Sequence, residues 1–262
     1  MSISIETPVA SINGQVLSLE TFLRTLLMEG SLLPVLHRAM VRQIIHQCAE
    51  EHGFSASDHQ LQRAADQVRR KQGLLSSIDM RQWLDNRRLS LLDFQSILES
   101  RLERQFVMAA VTSNAEEQFH LNHAAWDKVR FRKIEVTSEQ LAEELKCQHL
   151  DDGIELPQLL AELPGSVSGD KATQIHTCFR AALPAWLRLS MAKVQGRSLL
   201  GPIACPSGWT LIFVEAVTPA LFDQETEAVI RRHLFQQWLS ARMRESKISY
   251  PLLDLLSCQN DS

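Results

Sequence analysis

His176 and Cys178 stand two residues apart, the spacing that turns two side chains to one side of an extended segment. A thiol beside an imidazole is the start of a nucleophile–base pair, yet no oxyanion turn and no orienting acid accompanies them. His120 and His123 in FHLNH fall at i, i+3, close enough on a helix to share a metal ion. No glutamate follows in metalloprotease fashion and no third ligand is indicated, so no metal site is expected. His37, His46, His52 and His59 are spread over separate turns and are expected on the surface. Glu116-Glu117, Glu143-Glu144 and Asp151-Asp152 are adjacent pairs on helix surfaces or at a helix stop, not carboxylates aimed across a cleft. Neither a Gly-rich phosphate loop nor a dinucleotide fingerprint is present, so no cofactor is expected.

The elements that must position any site fall into two kinds. From about Ser18 to His120 the apolar residues recur at helical spacing behind helix-start signals. Ser57 with Gln60 has capping-box spacing, Leu61, Ala65 and Val68 share a stripe, and Gly73 ends the run. A helix is predicted to begin near Met80 with Trp83 and Leu84. Another follows Ser90, where Asp93 completes the cap and Phe94, Ile97, Leu98 and Leu102 form the stripe. Leu26-Leu27, Leu32-Leu33, Met28 and Met40 suit either a client groove or a core, since flexible Met and Leu faces serve both.

Near Trp126 the character changes. Residues 129–136, VRFRKIEV, alternate as a strand, and Thr137-Ser138 caps a helix with Leu141, Leu145 and Leu150 until Asp152-Gly153. A short helix holding Leu156, Leu159 and Leu160, a polar loop from Pro164 to Lys171 and a Leu-rich helix around Pro184 to Val194 are expected next. The stretch GPIACPSGWTLIFVE then reads as a turn feeding a strand. That order, strand, helices, strand, suggests a small α+β domain. From Asp223 the chain returns to helix with Val229, Ile230, Leu234, Trp238 and Leu239 on a broad apolar face. Such a face must be buried, and the first helical unit is the expected partner. The fold class is therefore α+β: a helical domain built from both chain ends with an α+β domain inserted. Boundaries are expected at 1–126, 127–218 and 219–262.

A net charge of -4 argues against broad nucleic-acid binding. No stretch approaches the about 20 apolar residues a membrane span needs, and the first residues lack a basic lead and a signal-length apolar segment. A cytoplasmic location is the resulting expectation. The five cysteines, Cys48, Cys147, Cys178, Cys205 and Cys258, are scattered and odd in number, which suits reduced thiols.

Four segments in order carry a resemblance: VASINGQVLSLETFLRTL, AEEQFHLNHAAWDKVRFRKIEVTSEQLAEEL, GRSLLGPIACPSGWTLIFVE and DQETEAVIRRHLFQQWLSARM. Together, covering most of the chain, they resemble SurA-like chaperones and their parvulin-type peptidyl-prolyl isomerase relatives. The first resembles the start of the SurA N-terminal region, the next two the ends of a parvulin domain, and the last the returning C-terminal helix. The combination looks most like cytosolic bacterial relatives found alongside peptide or protein export systems.

The resemblance implies a site that rotates an X-Pro amide over a barrier of about 18–20 kcal/mol without covalent chemistry. In that family two histidines lie beneath an apolar pocket that grips the proline, beside a Cys or Asp. Here Lys133 stands at the first-strand histidine and Thr210 at the last-strand one. Lys171-Ala172-Thr173-Gln174-Ile175-His176 replaces the family's Gly-rich loop. Leu183 and Leu187 take the proline-gripping positions with Trp186 nearby, and Trp209 joins the peptide-binding set. An unpaired buried ammonium is costly, so Lys133 is expected to reach solvent or a carboxylate such as Glu135. For Thr210, a plain β-former in a strand is the stronger reading. The resemblance thus implies a polypeptide-binding chaperone or escort, with exported or modified peptides as clients and isomerase activity lost. The alternatives are an active prolyl isomerase and a structural subunit docking one fixed partner.

Overall fold

The computed structural model describes residue 4, residues 6–154 and residues 174–258. Two compact units divide the chain: Met1–Ser113 with His233–Ser262, and Asn114–Arg232.

The first unit opens with a hairpin, β1 (Pro8–Ile12) and β2 (Gln15–Ser18). Asn13 and Gly14 between them hold φ of 51° and 81°, the paired left-handed conformation that makes the tightest hairpin turn. Five helices follow: α1 (Leu19–Met28), α2 (Leu32–Glu51), α3 (Asp58–Gln72), α4 (Ser77–Asp85) and α5 (Leu91–Val111). Reciprocal capping boxes start three of them, Ser57/Gln60, Ser76/Asp79 and Ser90/Asp93. Each satisfies two backbone donors that would otherwise be orphaned. The hydroxyls of Ser76 and Ser90, aided by their backbone amides, hold the carboxyls of Asp79 and Asp93 below the ordinary range. Ile45, Cys48 and Ala49 of α2 pack with Val107 of α5 and with Phe235, which belongs to α9 (Gln224–Glu245). The C-terminal residues thus complete the core of the helical unit. A second cluster joins Leu84, Phe94 and Leu98. The last described helix is α10 (Pro251–Cys258).

The second unit begins with α6 (Ala115–Leu121) and a 3-10 turn (His123–Trp126), then β3 (Lys128–Val136) and α7 (Glu139–Leu150). After the undescribed stretch come β4 (His176–Phe179), a 3-10 turn (Arg180–Ala182), α8 (Ala185–Met191), β5 (Ser198–Cys205) and β6 (Gly208–Thr218). The sheet is antiparallel in the order β4-β3-β6-β5. One face packs Ile134, Val136, Leu211 and Phe213 against Ala142 and Leu145 of α7. Its other face packs Val129, Phe131, Ile212 and Val214 against Leu183 and against Leu187 and Met191 of α8.

Three expectations change. Among the described residues the α+β unit has four strands, where the order strand, helices, strand is the expectation. GPIACPSGWTLIFVE is a hairpin, β5 turning at Pro206-Ser207 into β6. The residues before that turn, for which no strand had been expected, form an edge strand, where the N–H that Pro202 lacks costs no internal ladder bond. The units divide at 113/114 and 232/233, where 126/127 and 218/219 were expected. Contacts explain the shift: Phe119 packs on Phe222, Asp127 accepts hydrogen bonds from Arg180 and Ala220, and Lys128 pairs with Glu225 at 2.7 Å. The predicted helix with Leu156, Leu159 and Leu160 and the loop from Pro164 to Lys171 lie outside the described residues.

Two glycines lock the β5–β6 hairpin to its surroundings. A Cβ on Gly208, at φ of 130°, would stand 2.5 Å from the Val136 carbonyl oxygen. On Gly201, at φ of 119°, it would stand 2.7 Å from that of Thr210. Arg180, 6% exposed, secures α8 from below: its guanidinium donates to the carbonyls of Met191 and Val194 and lies 3.6 Å from Asp127. A cation at the last carbonyls of a helix satisfies groups the helix itself leaves open.

Candidate functional site

Strand alternation decides which candidate residues share a face. In β3, Phe131, Lys133 and Glu135 point one way; the register sets Lys133 opposite Ile212 and Glu135 opposite Thr210. Lys133 and Thr210, the positions where the resemblance implies histidine, therefore lie on the α8 side of the sheet. Thr210 is fully buried between β3 and β5, and its hydroxyl donates to the Ile134 carbonyl at 3.0 Å. The only proton of that side chain is committed to the sheet's own backbone. Lys133 keeps about a third of its surface in water and places Nζ 2.6 Å from Glu135, the pairing expected for it. Glu135 also accepts from the Ser207 hydroxyl at 3.0 Å, and Cys205 Sγ lies 3.3 Å from that hydroxyl. A short Lys-Glu-Ser-Cys polar chain thus runs along the sheet's end.

The apolar residues of the site need correction. Leu183 and Leu187 keep only 2% exposure each and pack onto Phe131, Ile212 and Val214. They fill the space above the sheet instead of walling an open slot, because the leucines of this segment are what covers that face. Trp186 is half-buried beside them. Trp209 is not part of this group: it packs with the α7 cluster, on the opposite face. A one-residue offset along a strand reverses the side a residue serves, which the linear proximity of Trp209 to Thr210 conceals.

His176 stands in β4 on the same side as Cys178, as their two-residue spacing implied. It is paired with Phe131 in the β3–β4 register and stacks on that ring at 5.4 Å and 26°. Its Nε2 is buried and has no hydrogen-bond partner among the described residues. An imidazole therefore stands on the same face as Lys133 and Thr210, but from the edge strand β4. Cys178, two residues on, packs against the same core, and burial pushes its thiol pKa up. A thiol so placed stays protonated, which removes the nucleophile from the His176–Cys178 pair. His120 and His123 both stand edge-on to Phe119, and no group of three or more potential metal ligands occurs among the described residues.

In the helical unit Leu32 is core at 3% exposure, whereas Leu27, Met28 and Leu33 are open at 38%, 81% and 49%. His46, expected on the surface, keeps 44% of its side chain exposed there and bridges α2 and α5: its Nδ1 lies 2.8 Å from Glu103, and its Nε2 3.5 Å from Glu50. The Glu103 hydrogen bond holds its pKa above the ordinary histidine value.

No family model and no curated protein matches the chain. Solved structures do. The peptidylprolyl isomerase PrsA from Bacillus anthracis superposes with a TM-score of 0.55 at 16% identity, over 82% of this chain and 99% of that one. The chain has the fold of PrsA. PrsA from Bacillus cereus aligns over 94% of this chain and 95% of its own, with 17% identity and a TM-score of 0.47. A SurA-like chaperone of Campylobacter jejuni aligns over 89% and 91%, with 11% identity and a TM-score of 0.26. Within the PrsA fold, then, this chain sets a lysine–carboxylate pair, a backbone-bound threonine and two buried leucines where its sequence resemblance implies a proline-handling site.

Proposed function

We propose that the chain is a polypeptide-binding chaperone of the PrsA fold that carries out no prolyl isomerisation. The observation that carries this reading is the state of the sheet face: Thr210 has its hydroxyl bound to Ile134, and Leu183 and Leu187 are 2% exposed. Isomerisation requires interactions stronger for the twisted amide than for the planar one, delivered around a seated proline ring. Here the ring's place is taken and the polar floor is engaged with itself. Binding surface is present elsewhere, in the open side chains of Leu27, Met28 and Leu33, whose flexible apolar groups adapt to varied clients. The reading extends to exported or post-translationally modified peptides as the clients and to a cytoplasmic site of action.

Two assays on the full chain test it together. The expected result is no acceleration of X-Pro isomerisation in a model peptide, with aggregation of an unfolded client suppressed. A rate above background that falls in Leu187→Ala would overturn the loss of isomerase activity. Recovery of one stoichiometric partner from native cells, with no effect on client aggregation, would replace the chaperone by a docking subunit.

A further inference from the structure

Two grooves flank α5 in the helical unit. One, of about 460 Å³, lies along α3 and is lined by Arg63, Lys71 and Arg101 over Val68 and Leu102. The other, of about 330 Å³, lies along α2 and is lined by Arg38, Arg42, Arg101 and Arg104 over Val41 and Ile45. Arg101 borders both, so the two form one surface with six cations around it. Glu103 is the sole carboxylate lining either groove among the described residues, and His46 already engages it at 2.8 Å. No carboxylate within salt-bridge distance is found for any of the six cations among the described residues. Arg42 is held by Ser96 at 3.0 Å, and the Arg104 guanidinium lies 4.8 Å over the Phe235 ring, so two of the cations are fixed in place.

Six clustered cations in a chain of net charge -4 form a local excess that repels itself unless an anion joins it. The apolar floor asks for side chains as well as charge. We infer that this surface binds an acidic polypeptide segment in which Asp or Glu alternates with apolar residues. The carboxylates meet the arginines, whose planar forks suit bidentate pairing, and the apolar residues cover the half-buried Val41 and Val68. Single-stranded nucleic acid fits less well, because no aromatic ring among the described residues lines either groove to stack a base. This inference rests on the polypeptide-binding reading and names the chemistry of the segment it takes.

The test measures anisotropy of a labelled peptide of alternating Glu and Leu, and of its Gln-for-Glu counterpart, on the full chain. The acidic peptide is expected to bind about tenfold more tightly than the neutral one, and its affinity to fall as salt rises. Arg101→Glu and Arg38→Glu, both at exposed positions, are each expected to lose about tenfold, whereas Arg197→Glu in the sheet unit, the same change in net charge, leaves binding unaltered. Equal binding of the two peptides, or equal losses in all three variants, would overturn the assignment. Displacement of the acidic peptide by an oligothymidylate at lower concentration would overturn it in favour of nucleic acid. Aggregation suppression of a neutral apolar client is measured beside it. Its survival when peptide discrimination is absent would remove the groove and leave the chaperone; its absence when discrimination is present would do the reverse.

Discussion

On the sheet face of Lys133 and Thr210, Leu183 and Leu187 are packed down onto Phe131, Ile212 and Val214. The flanks of α5 are built the other way, with an apolar floor left open and cations standing round it. Covering a sheet by one short helix and a loop lets Leu183 and Leu187 reach into the pleat and exclude solvent. Helices packed ridge into groove leave furrows between them unless long side chains lie down in the gaps, and here the arginines stand at the rim. The comparison teaches that one chain can fill an apolar face completely in one region and leave another open, according to how closely the covering element comes. In this chain the α8 side of the sheet is filled and the flanks of α5 are open.

The largest expected effect tests the closed half. Leu187→Ala should cost about 2–5 kcal/mol in urea denaturation, as deletion from a filled core does. An unchanged midpoint would mean that Leu187 lines an open slot, and the contrast between the two regions would collapse. Ser90→Ala removes the cap of α5 and should cost about 1 kcal/mol, read from the same denaturation experiment. A loss confined to the helical transition would show that the open half carries its own stability.

The smallest effect comes from His46, which joins α2 to α5 beside the groove. Its folded pKa is raised above the unfolded value near 6.5, so its contribution is complete below about pH 6.5 and disappears as pH rises through the folded value. The stability difference between the wild type and His46→Gln should therefore be larger at about pH 6 than at about pH 9, by less than about 1 kcal/mol for so exposed a pair. A difference growing towards high pH would show that Glu103 is not its partner.

Much of the scaffold was legible because its signals are local. Ser57 with Gln60, Ser90 with Asp93 and Ser138 before α7 cap where their spacing placed them, and Gly73 and Gly153 end the helices expected. Lys133 found Glu135 because two residues along a strand share a face. What escaped depends on neighbours distant in sequence. The hairpin at Asn13-Gly14 was passed over although that dipeptide is a strong turn signal, because both strands are short and exposed. Trp209, expected in the peptide-binding set, lies across the sheet from Thr210, against the α7 cluster. The burial of Leu183 and Leu187 was invisible, since the same apolar residues line a pocket or fill one according to how close the covering segment comes. Likewise the arginines of α2, α3 and α5 look like solvated helix surface until the helices are set side by side.

Gly201 and Gly208 give the hairpin an uneven tolerance of mutation. Any larger residue at either position must push a carbonyl of the adjoining backbone out of the sheet. Lys133 faces partly into water, so other residues fit there without disturbing the ladder. Random change would thus find the chemistry of the site easy to alter and its frame hard to alter. A lineage released from the need to catalyse would drift in its reacting groups long before it drifted in its outline.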